Sequence, residues 1–343
     1  MNWDQLDWSA LDRLRDLFLR GTPAPGPYWR SESDLANYDF TYGERIGWKW
    51  DAVLRGLDPS EWRCRKGAVV DWGCGSGIAG RRVVDWLGGD AVTELNLVDH
   101  SALAVQYAAS AAMARWPGLK VRTGPVPPDE PIALLVISHV LNELDGAGRS
   151  EMRRMIGQAD TVFWVEPGTH DTSRDLGAIR DELLDRFEIV APCPHREPCG
   201  VNRPGNEGHW CHFFARPPGG IFAESGWVRF AQRAGIDLRS LPYCYLMLTR
   251  SPRERPQEDG RDRQEIRILG LPRKYKGFAK VFGCQTSGVG NLVLQKRDAR
   301  DLFKRLDELS GRSLLARVEG DRLKDVLVVG APARSEGAGS ETF

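Results

Sequence analysis

The sequence contains no long apolar run. Nowhere in its 343 residues is there anything near the roughly 18 consecutive apolar residues of a helical membrane span. It also lacks net charge. Forty-seven Lys and Arg balance 47 Asp and Glu, so no global field selects nucleic acid or a membrane, and any basic surface has to be local. Internal repeats are absent, and seven cysteines show none of the C-x2-C spacings of common zinc modules. The opening stretch MNWDQLDWSALDRLRDLFLR carries Asp4, Asp7, Asp12 and Asp16, unlike a signal peptide or an acid-poor transit peptide. A cytoplasmic location is therefore expected, where thiols stay reduced and disulfides are disfavoured.

What is present is ordinary globular composition, 41% apolar and 27% charged, with enough chain for a substantial core. Leu11, Leu14, Leu17 and Phe18 recur at helical spacing, and residues 1–60 read as a helical region broken by a turn-rich segment at 21–30. Trp3, Trp8, Trp29, Trp48, Trp50 and Trp62 lie in or near it. They are expected to pack these helices onto the next domain, with RNA stacking as the alternative for a few. From about residue 67 short apolar strands (GAVVDW, ELNLVDH, IALLVISHV, TVFWVEPG) alternate with helical segments. That order predicts a parallel sheet covered on both faces, a doubly wound α/β domain over 61–190. A cysteine-rich segment follows at 191–220, then the rest of the core at 221–250. A basic, β-rich part is expected over 251–330, and a Gly/Ser/Glu-rich tail over 331–343 is expected to be disordered.

VVDWGCGSGIAG joins the first strand to the first core helix. Glycines suit a sharp turn that must approach a ligand closely, in front of unpaired helix N–H groups. A dinucleotide would use Gly75-x-Gly77-x-x-Gly80. S-adenosylmethionine (SAM) fits Asp71-x-Gly73-x-Gly75-x-Gly77 better, because it has no phosphate and has an ammonium for which a carboxylate is useful. Asp99, ending the second strand, is placed to accept from ribose hydroxyls, and His100 to line the adenine pocket. Cys74 reads as a small filler. ISHVLNEL, at the exit of the IALLVISHV strand, makes Ser138 and His139 pocket candidates. Asn142 and Glu143 read equally well as caps of the next helix. No Asn/Asp-Pro-Pro-aromatic sequence and no strand-end cysteine nucleophile is present, so no catalytic base is identified and enzymatic activity stays open.

Cys193, Cys199 and Cys211 fall within nineteen residues rich in Pro, Gly and His. Loop cysteines stiffened by Pro192, Pro194 and Pro198 suit metal ligation, and structural zinc and cubane iron–sulfur clusters both take four ligands. Candidates for the fourth are Cys284, Cys244, His195, His209 and His212. Cys244 lies in an apolar strand, where a buried thiol is the default; Cys284 adjoins a turn and is freer to reach.

The succession DWGCGSG, SHVLNEL, VEPGT, APCPH…PC, HWCHF, YLML and PRKYKGFAKVFGC resembles the Rsm-type methyltransferase-like family over roughly residues 35–297. That family comprises mitochondrial small-ribosomal-subunit proteins and assembly factors, with bacterial homologues described as predicted rRNA methyltransferases. The resemblance implies a class I SAM-dependent methyltransferase (Rossmann-like) core seated on small-subunit rRNA. It implies SAM contacts from Asp71, Gly73, Gly75, Gly77 and Asp99, and a [4Fe–4S] cluster on Cys193, Cys199, Cys211 and Cys284, with zinc as the alternative.

Local charge agrees with an RNA partner. Residues 266–280 carry Arg267, Arg273, Lys274, Lys276 and Lys280 without an acidic residue, interleaved with Tyr275 and Phe278; cations contact phosphates and aromatic rings stack on unpaired bases. A solvated face over core aromatics is the competing reading. Neither a membrane nor DNA is expected as a partner. Three functions remain: an rRNA methyltransferase with a structural cluster, a non-catalytic ribosome-assembly factor, or a small-molecule SAM methyltransferase with structural zinc.

Overall fold

The computed structural model describes residues 1–19, 29–57, 65–252 and 263–329. Trp62, most of the two polar segments at 21–30 and 251–265, and the tail at 331–343 lie outside the described residues. Among the described residues no helix is long and apolar enough to cross a membrane.

The N-terminal region forms α1 (Trp8–Leu19), α2 (Glu32–Tyr38) and α3 (Glu44–Arg55), with a π-helical turn at Asp39–Gly43 joining the last two. Its tryptophans hold the region down. Trp29, Trp48 and Trp50 are buried, and Trp3 packs edge-on against Phe40 and Trp227. Trp8 lies under the guanidinium groups of Arg229 and Arg233, so its ring is committed to a cation–π contact within the chain.

The core then runs β1 (Gly67–Trp72), α4 (Ile78–Leu87), β2 (Val92–Val98), α5 (Ala102–Arg115), β3 (Lys120–Thr123) and β4 (Ile132–Ser138). It continues through α6 (Gly146–Gln158), β5 (Ala159–Pro167), α7 (His170–Leu183) and β6 (Glu188–Ala191). After the cysteine segment come β7 (Phe213–Ala215), α8 (Ser225–Ala234) and β8 (Leu241–Thr249). The sheet order is β3-β2-β1-β4-β5-β8-β6, with β7 paired to β8. β1 through β5 are parallel, whereas β8 runs antiparallel to both β5 and β6. This is the Rossmann-like sheet of class I methyltransferases, with one reversed strand where a purely parallel sheet was expected. β4 and β5 are buried along nearly their whole length because helices cover both faces, which is why they read as continuous apolar runs. β3 and β7 escape a sequence reading because they are only four and three residues long, too short for an alternation to show.

The C-terminal part closes into a five-stranded barrel of β9 (Gln264–Lys274), β10 (Phe278–Gln285), β11 (Gly288–Gln295), β12 (Ser313–Glu319) and β13 (Arg322–Val329). Short helix α9 (Arg300–Lys304) links β11 to β12. The strands meet in the order β9-β10-β11-β13-β12 and back to β9, with β11 and β13 parallel. That connectivity is the OB-fold arrangement, more specific than the β-rich part expected. Alternation along β10 turns Ala279 and Val281 into the barrel core and sends Phe278, Lys280, Phe282 and Cys284 to its outer face.

Candidate functional site

The cofactor cleft lies where the strand order reverses, beyond the carboxyl ends of β1 and β4, the usual ligand position in such sheets. The glycine loop folds tightly there. Gly73, Gly75 and Gly77 all have positive φ, of 71°, 50° and 79°, a region that side-chain-bearing residues avoid. The Gly73 and Cys74 N–H groups both donate to Val98 O, at 2.7 and 3.1 Å. Asp99 Oδ2 accepts from Gly75 N at 2.9 Å and its Oδ1 from Ser101 N at 2.9 Å. The loop is thus tied to the end of β2 by its own backbone.

A cavity of about 810 Å³ opens in front of it, within the range of small-molecule sites. Gly73, Gly75, Asp99, His100, Ser138 and His139 all line it. Asp71 and Gly77 do not, and stand behind the wall. Asp71 is fully buried and accepts from Gly80 N at 3.0 Å. Burial pushes its carboxyl up to about 7, against the Gly80 bond and with help from Asp99. Cys74 is a buried filler. The helix after β4 is capped by Asp145, which accepts from Gly148 N; Asn142 and Glu143 are not its caps and line the cavity instead. Their short 3-10 turn, Leu141–Glu143, is braced by Glu166. One oxygen of this buried carboxyl accepts from Trp164 Nε1, Val140 N and Leu141 N.

The far wall of the cavity comes from the N-terminal helices, through Phe18, Trp29, Tyr38, Tyr42, Arg45 and Lys49. The sequence placed Phe18 and Trp29 only in helix packing and gave Tyr38, Tyr42, Arg45 and Lys49 no part in the site. The signal that was available is a lysine set between two tryptophans, Trp48-Lys49-Trp50, on an otherwise buried helix face.

The second feature is a junction of thiols. Cys193 and Cys199 lie in the loop after β6, Cys211 just before β7, and Cys284 on the outer face of β10. Burial pushes the Cys199, Cys211 and Cys284 thiols above their ordinary range, Cys199 to about 11, with Cys193 raising all three further; Cys199 and Cys284 both act on Cys211. These four are free thiols, and Cys244 of β8 raises Cys211 in the same way, so it borders the junction too. The loop is fastened by α7. Buried Arg180 donates to His195 O and Glu197 O, both at 2.7 Å, and pairs with Asp181. Burial works against the Arg180 charge, but Cys193 and Asp181 outweigh it and the guanidinium is held above its usual range. Asp181 accepts from Cys199 N at 2.9 Å. Gly200 packs against β11, where a side chain would meet Val289 atoms at 3.0 Å. Cys284 Sγ lies 3.4 Å from His195 Nε2, and His209 lies against Phe282 with ring centroids 4.5 Å apart.

Cys244 is buried in β8, with Sγ 3.4 Å from Pro167 O. Among the described residues no three His, Cys, Asp or Glu side chains are gathered tightly enough to form a ready-made metal site. In donor chemistry, four free thiols and the buried Arg180 guanidinium suit an anionic tetrathiolate group.

The opposite end of β10 is basic. Arg273, Lys274, Tyr275, Lys276 and Lys280 are exposed. Tyr275 and Phe278 stack at 4.7 Å with 11° between their planes, and Lys296 N, donating to Gly277 O, holds the hairpin against the end of β11.

No curated protein matches the chain. Among solved structures it is similar to a putative RNA methyltransferase from Pyrococcus horikoshii, at 11% identity and a TM-score of 0.35, covering 70% of this chain and 98% of that one. It is also similar to TrmK of M. capricolum in complex with S-adenosyl-homocysteine, at 8% identity and a TM-score of 0.32, covering 62% and 71%. A SAM-dependent methyltransferase from Aquifex aeolicus matches at 14% and 0.29, covering 42% and 89%. Such low scores add nothing to what the sheet order establishes. The family described as mitochondrial small ribosomal subunit Rsm22 matches residues 90–309, from the start of β2 through the thiol junction and into the barrel. With most of the chain under that match, this protein belongs to the Rsm22 family.

Proposed function

We propose that the protein binds SAM in the cleft and acts on the small ribosomal subunit, as an rRNA methyltransferase carrying a structural [4Fe–4S] cluster on Cys193, Cys199, Cys211 and Cys284. In this reading Gly73, Gly75, Asp99 and His100 hold the nucleoside side of SAM. Ser138 and His139 face the sulfonium side, and Asp71 and Gly77 shape the loop from behind. The cluster supplies a cross-link rather than chemistry. A cytoplasmic setting keeps the thiols reduced, although the family's description is of a mitochondrial protein.

The observation that carries this reading is the course of β10. One end bears Cys284 against the thiol loop, which α7 roots in the cofactor core. The other end bears Lys280, next to a stacked aromatic pair on the strand and loop surface with which OB-folds bind oligonucleotides. The cofactor core and a nucleic-acid surface are thereby joined through a single strand.

Two assays test the reading. Methyl-labelled SAM is offered to small-subunit particles and to deproteinised small-subunit rRNA, and label in the RNA is the expected result. SAM binding without transfer would favour the non-catalytic assembly factor. RNA affinity is then measured against salt. Lys276→Glu with Lys280→Glu is expected to weaken binding at least about tenfold and to flatten the salt slope. A protein that ignores RNA at low salt, and holds about one zinc instead of about four irons and four sulfides, would favour the small-molecule methyltransferase.

A further inference from the structure

In the wall between the glycine loop and the N-terminal helices, three polar side chains form a hydrogen-bonded row. Lys49 Nζ lies 3.1 Å from His139 Nε2, and His139 Nδ1 lies 3.1 Å from Ser138 Oγ. The row is anchored by Trp50 Nε1, which donates to Ser138 Oγ at 2.9 Å. Lys49 comes from α3, whereas Ser138 and His139 come from the end of β4. Lys49, Ser138 and His139 all line the cavity. His139 sits there at φ 56°, a left-handed backbone that a residue with a side chain adopts at a cost and that marks functional sites.

We propose that Lys49, positioned by His139 and Ser138, is the proton acceptor for methyl transfer in this cleft. The inference rests on the cleft being a SAM site. As the acceptor's nitrogen or oxygen bonds to the methyl carbon, the carbon–sulfur bond breaks and its electron pair stays on sulfur as a thioether. The proton that the acceptor carried passes to the free amine of Lys49. The acceptor class is one with a proton to lose, such as an exocyclic base amine or a ribose hydroxyl.

The row has two consistent proton arrangements. With Lys49 charged, it donates to His139 Nε2, and His139 Nδ1–H donates to Ser138. With Lys49 neutral, one amine N–H still donates to Nε2 and the ring keeps its Nδ1–H tautomer, which leaves the amine lone pair free for the acceptor's proton. The protein therefore accommodates both states without moving a side chain. The surroundings favour the neutral amine: burial, then Arg45, push Lys49 down to about 7, only partly opposed by Cys244 and Glu166. Burial and the Lys49 charge hold His139 well below its ordinary range, so it stays a neutral ring that positions the amine. A base poised near neutrality suits the task, and the sequence shows no other motif for one.

The test begins with lysine-selective 13C NMR on the full-length protein. One lysine signal is expected to titrate near pH 7, to disappear in Lys49→Arg, and to move in His139→Asn. If every lysine titrates in its ordinary range, the proposal is overturned. SAM binding by calorimetry and transfer of labelled methyl to small-subunit rRNA are measured on the same proteins. Transfer should rise with pH through about 7 and level off, and Lys49→Met should lower it about 100-fold at pH 8 while SAM affinity changes less than about threefold. Full activity in Lys49→Met with SAM bound would overturn the proton-acceptor role alone. Failure of the wild-type protein to bind SAM would remove the cofactor reading and that role with it, even where Lys49 titrates as expected.

Discussion

The cofactor cleft and the thiol junction solve the same problem by opposite means. The glycine loop is a short run of consecutive residues, held by backbone N–H groups on Val98 O and Asp99. The junction collects residues as far apart as Cys193 and Cys284, held by side chains of α7. The cleft is organised by its own peptide groups. At the junction burial and nearby thiols push Cys199, Cys211 and Cys284 up, a penalty that a bound cation would relieve. The lesson is that local chemistry builds a preformed site, while a site drawn from distant segments needs its ligand to complete it.

The largest effect should fall on the junction. Cys284→Ser is expected to lose iron and sulfide and to destabilise the fold by more than about 4 kcal/mol, the scale of losing a structural metal site. Cys244→Ser should keep the metal and cost about 1–2 kcal/mol. Metal analysis and denaturant titration on both variants read this, and a reversed ranking would replace the ligand assignment. A smaller effect should fall on the cleft. Asp99→Ala removes the acceptor that holds Gly75 N and should weaken SAM binding by about 10–100-fold, or about 1.4–2.8 kcal/mol. Calorimetry gives the affinity, and the iron content should stay unchanged. A variant that lost both would show that the two sites are not independent.

The smallest is a pH effect. Asp71 in the folded chain titrates about 7, above its unfolded value of roughly 4. The proton it keeps stabilises the fold below about pH 4, and this contribution is lost as pH rises through 7. Glu166, also raised to about 7 by burial, acts in the same direction. Lys49, lowered to about 7, acts oppositely between there and its unfolded value. Asp71→Asn keeps an oxygen for Gly80 N, so its unfolding free energy should fall less steeply between pH 4 and 8 than the wild type's. Equal slopes would mean that Asp71 ionises freely.

What was legible in the sequence follows the same division. The position of Gly73, Gly75, Asp99, Ser138 and His139 on the cavity wall was readable because strand ends and turns write themselves in consecutive residues. Asp71 was read as facing the ligand because its position in the motif is fixed while its χ angles are not; the side chain turns to α4 and Gly80. Lys49 was missed because it reaches the cleft by tertiary packing of α3, which meets the end of β4 through Lys49–His139 and Trp50–Ser138. The barrel was half legible. β9 to β11 alternate clearly, but the LLA of β12 imitates a helix segment, and closure through the parallel β11–β13 pair leaves no local trace.

β10 has a mechanical consequence. Four residues separate Lys280 from Cys284, about 13 Å of extended chain at 3.3 Å per residue. The strand is hydrogen-bonded on both sides and behaves as a short stiff rod with its cysteine end clamped to the core. Releasing the clamp would place the loss of stability at the joint with the core and let the basic end swing, while the barrel keeps its own apolar centre. Damage to a sulfur atom would then be felt as lost aim rather than lost grip: affinity for a strand would survive while its alignment with the cleft would not.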